Sequence, residues 1–361
     1  VTGVAIIGGG RWARVIASVL PRVWVGPVTV CSPGNPAAWD DRPAGWQLAD
    51  LPGVWADPAI RHVIIARRAR DHAATVLAAL AAGKAVLVEK PFCLTRAEAD
   101  AILAAGGDCH TGLVFLHAGY LARFQAAVLA AGRPQHLSLH WADPAGEHRH
   151  GAAKTHDASL NVVQDVLPHA WSVLRPLLPQ DLVLVGATIA DGGAQVDLAL
   201  QAGMATVEIR LRRGAGRRQR CLALRGAGLE ATLDFATEPG QAILNGAPLD
   251  VATGHGSPLE AELRGFLAGA MHPLADVAQA VQALDLTLAA MAHIRVQQAQ
   301  AIREGHAGAL REVALGGISG DGRPGTRIGI ARWLGVADDD PAFNAAWTAA
   351  FPPDKSGGKG C

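Results

Sequence analysis

The sequence predicts an α/β chain whose first part builds a parallel sheet and whose second part is α+β, with a large, open, mostly antiparallel sheet. Three observations carry this. Over the first third, short continuous apolar runs alternate with alanine-rich helical stretches, the pattern of a parallel sheet covered on both faces. After about residue 118 the runs lengthen, alternate apolar with polar positions and are separated by glycine-rich turns, as in an antiparallel sheet with one covered face. The length of 361 residues and a hydrophobic share of 50% suffice for two such cores without disulfides.

The elements follow in order. Val4 to Ile7 reads as a strand, Arg11 to Leu20 as a helix, Val28 to Cys31 and His62 to Ala66 as the next strands. Asp71 to Ala82 is a helix, Ala85 to Val88 a strand, Arg96 to Ala105 a helix and Gly112 to Leu116 a fifth strand. The alternating strands are Leu137 to Trp141, Leu182 to Ile189, Val196 to Gln201, Ala205 to Leu211, Cys221 to Leu224 and Ala231 to Phe235. Helical patterns occupy Leu160 to Leu178, Pro258 to Ala270 and Ala275 to about Glu304, the last expected to contain a break. From about Gly316 the chain is Gly/Asp/Pro-rich, resumes at Ile328 to Leu334 and ends in a tail, Lys355 to Cys361, that reads as disordered. The resulting domains are 1–118, 119–315 and a C-terminal extension, 316–361.

Composition narrows the function classes. The 32 Lys+Arg balance 32 Asp+Glu, which argues against whole-surface attraction to nucleic acid or an anionic membrane, and 18% charge excludes a disordered chain. The cysteines, Cys31, Cys93, Cys109, Cys221 and Cys361, show no CxxC or CxH spacing, so no zinc site or disulfide framework is expected. No basic region followed by an apolar segment opens the chain, and the stretch from Ala73 to Val88, broken by Lys84, falls short of the about 18 residues a membrane span needs. A soluble, cytoplasmic protein is expected.

The first strand runs into Gly8-Gly9-Gly10-Arg11-Trp12-Ala13 and then a helix. Gly8, Gly10 and Ala13 fit G-x-G-x-x-A: one glycine for the tight turn, one for close approach of a pyrophosphate, a small residue for helix–strand packing. The helix N-terminus adds free N–H groups and a positive dipole end. Residues 1–118 are therefore read as a dinucleotide-binding Rossmann domain. The second strand ends in Cys31-Ser32-Pro33-Gly34-Asn35, without the carboxylate that would bond a ribose 2′-hydroxyl. Ser32 and Asn35 as donors and Arg11 as a cation favour NADP(H), with NAD(H) as the alternative.

The fourth strand ends in Val88-Glu89-Lys90-Pro91. With the glycine loop, the Asp71-His72 helix, Ala81-Ala82-Gly83-Lys84 and the later Pro258-Leu259-Glu260-Ala261-Glu262…Phe266, this resembles the glucose–fructose oxidoreductase / inositol dehydrogenase / MocA family over about residues 3 to 300. The resemblance implies an oxidoreductase that moves hydride between nicotinamide and a carbonyl or carbinol carbon of a sugar, cyclitol or related small molecule. It also implies a cis Lys90–Pro91 bond and an open sheet that forms a homodimer or homotetramer. Alternatives within the same resemblance are a redox-neutral, NAD-dependent glycosidase, an imine reductase and a non-catalytic dinucleotide-binding sensor.

Lys90 stands where strand ends line the cofactor crevice and can stabilise charge developing on a substrate oxygen. In Gln164-Asp165-Val166-Leu167-Pro168-His169, the family's Asp-x-x-x-His implies that His169 is the acid/base, with Asp165 orienting that ring or binding a substrate hydroxyl. Positions i and i+4 share a helix face, so both can enter one cleft. Pro168 stands where the family has a small residue; either the helix kinks there or it starts near Asp165, which would then be a cap. Arg67 and Arg68 replace the family's Thr-Pro, and His117 stands where an Asn often lies beside the nicotinamide. With Trp12, His72, Glu89 and Pro91 these complete the expected cofactor contacts. Tyr120, Trp141, Lys154 and His156 are expected at the substrate. The Glu147-to-Asp157 segment reads as a loop over the pocket rather than a metal site. The arginines Arg210, Arg212, Arg213, Arg217, Arg218, Arg220 and Arg225 crowd one hairpin without interleaved aromatics, a solvated or oligomer-facing sheet rather than a nucleic-acid surface.

Overall fold

The computed structural model describes residues 2–144, 148–149, 152–153, 160–190, 194–253, 256–303, 327–334, 336–337 and 339–351. Lys154 and His156 lie outside the described residues. The first sheet has six parallel strands, β1 (Gly3–Ile7), β2 (Val28–Cys31), β3 (Gln47–Leu48), β4 (Ile60–Ile65), β5 (Ala85–Glu89) and β6 (Cys109–Gly112). Their order is β3-β2-β1-β4-β5-β6, so the sequence order reverses beside β1, where an open α/β sheet leaves a crevice. Helices α1 (Arg11–Val19), α2 (Leu51–Ala56), α3 (His72–Ala81) and α4 (Arg96–Ala105) cover it. Every residue of β1 is buried, which is why these strands read as unbroken apolar runs. α4 starts on a capping box in which Thr95 and Glu98 satisfy each other's backbone N–H.

The expected fifth strand is displaced. β6 is the polar-looking Cys109–Gly112, and Val114–His117 forms a short 3-10 turn against α7 (Pro258–Leu267) and α6 (Val162–Leu174). A short apolar run does not by itself distinguish a strand from a buried turn. Helix α5 (Gly119–Ala131), which the sequence reading did not assign, follows it.

The second sheet has eight strands in the order β10-β11-β12-β7-β13-β14-β15-β16. These are β7 (His136–Pro144), β10 (Val183–Ala190), β11 (Gln195–Ala202), β12 (Ala205–Ala215), β13 (Gln219–Gly226), β14 (Leu229–Asp234), β15 (Gln241–Leu244) and β16 (Ala247–Leu249). A two-strand ribbon, β8 (His148–Arg149) with β9 (Ala152–Ala153), stands apart. All neighbours in the large sheet run antiparallel except β7 and β12. Along β12, Val207, Ile209 and Leu211 are buried while Thr206, Glu208 and Arg210 are exposed, the period of two that a half-covered sheet imposes. Helices α5, α6 and α8 (Val277–Arg303) pack on the covered face.

α8 runs unbroken through the expected break. Its stretch Val277–Gln297 has a mean hydropathy of 1.3 and is long and apolar enough to cross a membrane by length and composition. Here Val281, Leu284, Leu286 and Ile294 are buried, and the helix packs against α4, α6 and β10. Past residue 316, α9 (Arg327–Leu334) and α10 (Pro341–Ala350) close a small separate core with the end of α8, around Ala299, Ile330 and Phe343.

Candidate active site

The glycine loop is shaped by its neighbours. Gly8 has φ +143°, donates its N–H to Cys31 O at 2.8 Å and accepts from Trp39 Nε1 at 2.8 Å. A Cβ on Gly8 would stand 2.1 Å from Ala66 O, and one on Gly9 would stand 2.4 Å from Ser32 Oγ. Gly10, in contrast, faces open space and caps α1 without a side chain, leaving the helix N–H groups unobstructed. This is a cradle for an anion. Gly8→Ala is expected to destabilise the protein by about 3 kcal/mol through strain and overlap, read as a lowered urea midpoint with weakened dinucleotide binding. An unchanged midpoint would show that the loop tolerates a side chain.

From this loop an open cleft of about 380 Å³ runs between the two sheets, within the about 300–1,000 Å³ of small-ligand pockets. Arg11, Trp12, Arg67, His72 and Glu89 line its cofactor end, and Lys90, Asp165, His169 and Trp141 line the other. Arg67 is tied back to α3, donating to Thr75 Oγ1 at 2.7 Å and pairing with Asp71 at 3.7 Å. His72 is buried with Nδ1 2.8 Å from Pro91 O and Nε2 3.1 Å from Arg67 O, so it pins two strand-end turns together. Lys90–Pro91 is cis, as the resemblance implied.

Other expected contacts stand elsewhere. Ser32 backs Gly9, Asn35 precedes the 3-10 turn at Pro36–Trp39, and exposed Arg68 precedes a second turn; none lines the cleft. His117 leaves the cleft because its 3-10 turn carries the ring to His272, 6.4 Å between centroids. Tyr120 is buried within α5 rather than at the cleft wall. Arg14, not singled out from sequence, lies 4.3 Å over the Trp39 ring and pairs with Asp41 at 2.6 Å.

Glu89 accepts from the indole of Trp12, and burial pushes its carboxyl up to about 7 against the opposing pull of that bond and of Lys90. Glu262 of α7, buried to 1%, is raised well above the usual carboxylate range by burial and by Glu89. These two acids therefore share a site that disfavours charge on both. His117 is pushed down to about 4, first by burial and then by His272 and His110. Between 6.5 and about 4 the unfolded chain then binds a proton that the folded protein excludes, so stability is lost as pH falls through that window. His117→Phe should lose less of its urea midpoint than wild type between about pH 7 and about pH 5. Equal losses would remove His117 from the account.

At the far end, Lys90 Nζ donates to Asp165 Oδ1 at 2.5 Å and to Asp165 O at 2.8 Å. Arg213 Nη2 donates to Asp165 Oδ2 at 2.8 Å, and Arg213 Nη1 to Leu160 O at 2.8 Å. Asp165 is therefore held between two cations and is no helix cap. That role belongs to Asn161, in a capping box with Gln164, and α6 passes through Pro168 to Leu174. The His169 ring stacks on Trp141, 5.8 Å between centroids and 9° from parallel, with Phe115 edge-on at 5.2 Å. On Trp141 sits the Arg220 guanidinium, 3.8 Å from the ring, itself paired at 2.5 Å with Asp143. Trp141 thus backs the histidine. Burial, then Lys90 with Arg220, holds His169 well below its usual value against the pull of Asp165 and Asp143, so the ring is neutral. Its Nδ1 is shielded without a partner, which leaves Nε2 for exchange with the cleft.

Arg213, Arg220 and Asp143 were missed as site residues, although parity would have found them. Arg213 has the parity of buried Val207, Ile209 and Leu211, Arg220 that of Leu222 and Leu224, and Asp143 that of Leu137 and Leu139.

Residues 2–107 match the family model described as "Oxidoreductase family, NAD-binding Rossmann fold". Two curated inositol 2-dehydrogenases are similar: that of Acidiphilium cryptum (strain JF-5) is 33% identical over 138 residues, covering 36% of this chain and 38% of the relative. That of Acidothermus cellulolyticus is 31% identical over 144 residues, covering 37% and 40%. The matched part thus spans about two fifths of these relatives' length. Among solved structures, a UDP-N-acetylglucosamine 3-dehydrogenase from Acidithiobacillus ferrooxidans shares the fold at TM-score 0.66 and 17% identity, over 80% of this chain and 96% of that one. A 3-ketoreductase from Actinomadura kijaniata, in complex with TDP-benzene and NADP, does so at 0.64 and 17%, over 81% and 97%. Residues 2–107 therefore match the NAD-binding Rossmann fold of that oxidoreductase family, and the chain as a whole shares its fold with these solved structures.

Proposed function

We propose that the protein is an NADP(H)-dependent oxidoreductase acting on a carbonyl or carbinol carbon of a sugar, cyclitol or related polyol. The observation that carries this is the convergence of Lys90, Asp165 and His169 at one end of a cleft whose other end is the glycine loop and the bare N-terminus of α1. The nicotinamide, when bound, supplies or accepts the hydride. The Lys90 ammonium, fixed by both acceptors of Asp165, donates to the substrate oxygen and stabilises the charge that develops on it. His169, neutral and stacked on Trp141, takes the hydroxyl proton in oxidation and returns it in reduction. Asp165, paired with Lys90 and Arg213, orients the lysine rather than accepting the proton itself.

NADP(H) is favoured because no acid follows β2 at Cys31-Ser32, while Arg11 and Arg67 line the cofactor end. The uncovered face of the large sheet is the surface we assign to self-association as a homodimer or homotetramer, read by light scattering. A panel of polyols, cyclitols and their keto forms, followed at 340 nm with NADP(H) and NAD(H), tests the reaction. Substrate-dependent absorbance change and stronger thermal protection by NADPH are expected. Sugar release without absorbance change would replace the oxidoreductase by a redox-neutral glycosidase, and equal protection by NADH would remove the cofactor preference.

A further inference from the structure

We propose that Trp39 is a positioning residue for dinucleotide binding: its indole N–H fixes the Gly8–Gly9 peptide so that an N–H rather than a carbonyl faces the phosphates. This role rests on the dinucleotide reading of the cleft and is independent of the hydride step. Gly8-Gly9-Gly10 has no side chain that could choose between the two orientations of this peptide, and glycine takes positive and negative φ about equally readily. The choice has to come from outside the loop. Trp39 Nε1 donates to Gly8 O at 2.8 Å; the ring is 0% exposed and is not among the residues that line the cleft. Gly8 O is thus turned into the protein interior. In a trans peptide the carbonyl and the N–H point in opposite directions, so the Gly9 N–H is turned away from the indole. Rotated by half a turn, the same peptide would set a carbonyl oxygen against the pyrophosphate, and repulsion would replace a hydrogen bond.

The segment after β2 also explains why the loop lacks a side chain here. A Cβ on Gly9 would stand 2.4 Å from Ser32 Oγ and 2.6 Å from Ala38 Cβ, so the chain that delivers Trp39 packs too closely for any residue but glycine. Gly8 N–H is committed to the same segment, donating to Cys31 O at 2.8 Å. Both backbone groups of Gly8 are therefore fixed from β2 and the turn that follows it. Trp39 is held in its turn. It ends the 3-10 turn Pro36–Trp39, and Arg14 of α1 lies 4.3 Å over its ring, donates to Ala38 O and pairs with Asp41 at 2.6 Å. Since α1 begins at Arg11 and offers its own free N–H groups to the same anion, helix, indole and glycine peptide act as one unit.

Trp39→Phe keeps an aromatic ring and removes the donor. Site-specific replacement of Trp39 by 3-benzothienylalanine, in which sulfur takes the place of the N–H, keeps the ring size as well. It preserves the test if the phenylalanine variant folds poorly. Calorimetric titration of the full chain with NADPH and with NADH reads the two Kd values without any need for a substrate. Loss of the orienting hydrogen bond should raise both about three- to tenfold. Their ratio should stay within about twofold of wild type, because the two dinucleotides share the pyrophosphate and differ only at the adenosine 2′ position, which the segment after β2 meets.

A Trp39 that served only to pack the segment after β2 would disturb that 2′ contact and move the ratio. A change in Kd below about twofold in a folded variant, or a rise accompanied by a larger shift in the ratio, therefore overturns the inference. A wild-type protein that binds neither dinucleotide would overturn the reading of the cleft itself.

Discussion

Lys90→Ala is expected to lower kcat by about 10²–10⁴-fold while the dinucleotide still binds, since the ammonium is the donor proposed for the substrate oxygen. The pH dependence of the residual rate is the sharper reading. Lys90 is, after burial, the next cause that holds His169 low, so its removal lets the imidazole pKa rise. In the oxidation direction the neutral ring is the active form, and the acid limb of the kcat profile should therefore move to higher pH in the variant. A variant with wild-type kcat would contradict the assignment. A lowered kcat with an unmoved acid limb would leave Lys90 in the reaction but separate it from His169.

Asp143→Ala should cost about 3–5 kcal/mol in urea unfolding, because it removes the carboxylate paired at 2.5 Å with an Arg220 guanidinium in a place only 3% exposed. Arg220 also donates to Ala142 O and Gln219 O. The double variant Asp143→Ala/Arg220→Met should recover most of the loss, since a buried pair replaced by apolar groups of similar volume is often near neutral. Activity should not recover with it, because Arg220 is the charge lying on the Trp141 ring that backs His169. A loss below about 1 kcal/mol in the single variant would mean that water reaches the pair.

The parallel-sheet half was legible because each buried strand is a short apolar run bounded by a helix signal, and the glycine loop named its own chemistry. β6 was misread because Cys109-His110-Thr111 carries no apolar pattern, whereas the neighbouring Leu113 to Leu116 does and is spent on a turn. That error also misplaced His117, since a turn sends its side chains where a strand end would not. In the second sheet β7 and β10 to β14 were legible from alternation, the short β15 and β16 were not assigned, and the arginines were read as one crowd. Taken by parity they separate into Arg210 and Arg225, facing outward, and Arg213 and Arg220, facing Asp165 and Asp143. Asp165 and His169 could be found by spacing. What held them could not, because Arg213 lies 48 positions from Asp165 and meets it only through the packing of α6 on β12. α10 escaped notice because an alanine-rich stretch of ten residues after a Gly/Asp-rich segment gives little helical signal beyond its Asp340 cap.

Hydride passage between nicotinamide and substrate carbon at the Lys90–Asp165–His169 end of the cleft is the central proposal. NADPH carrying deuterium at both C4 positions, incubated with the protein and a panel of keto-sugars and keto-cyclitols, reads this directly by mass spectrometry of the products. One deuterium on the reduced carbon of each product molecule, lost in Lys90→Ala, is the result predicted. Product released with no deuterium at that carbon, or formed equally well by Lys90→Ala, would contradict it.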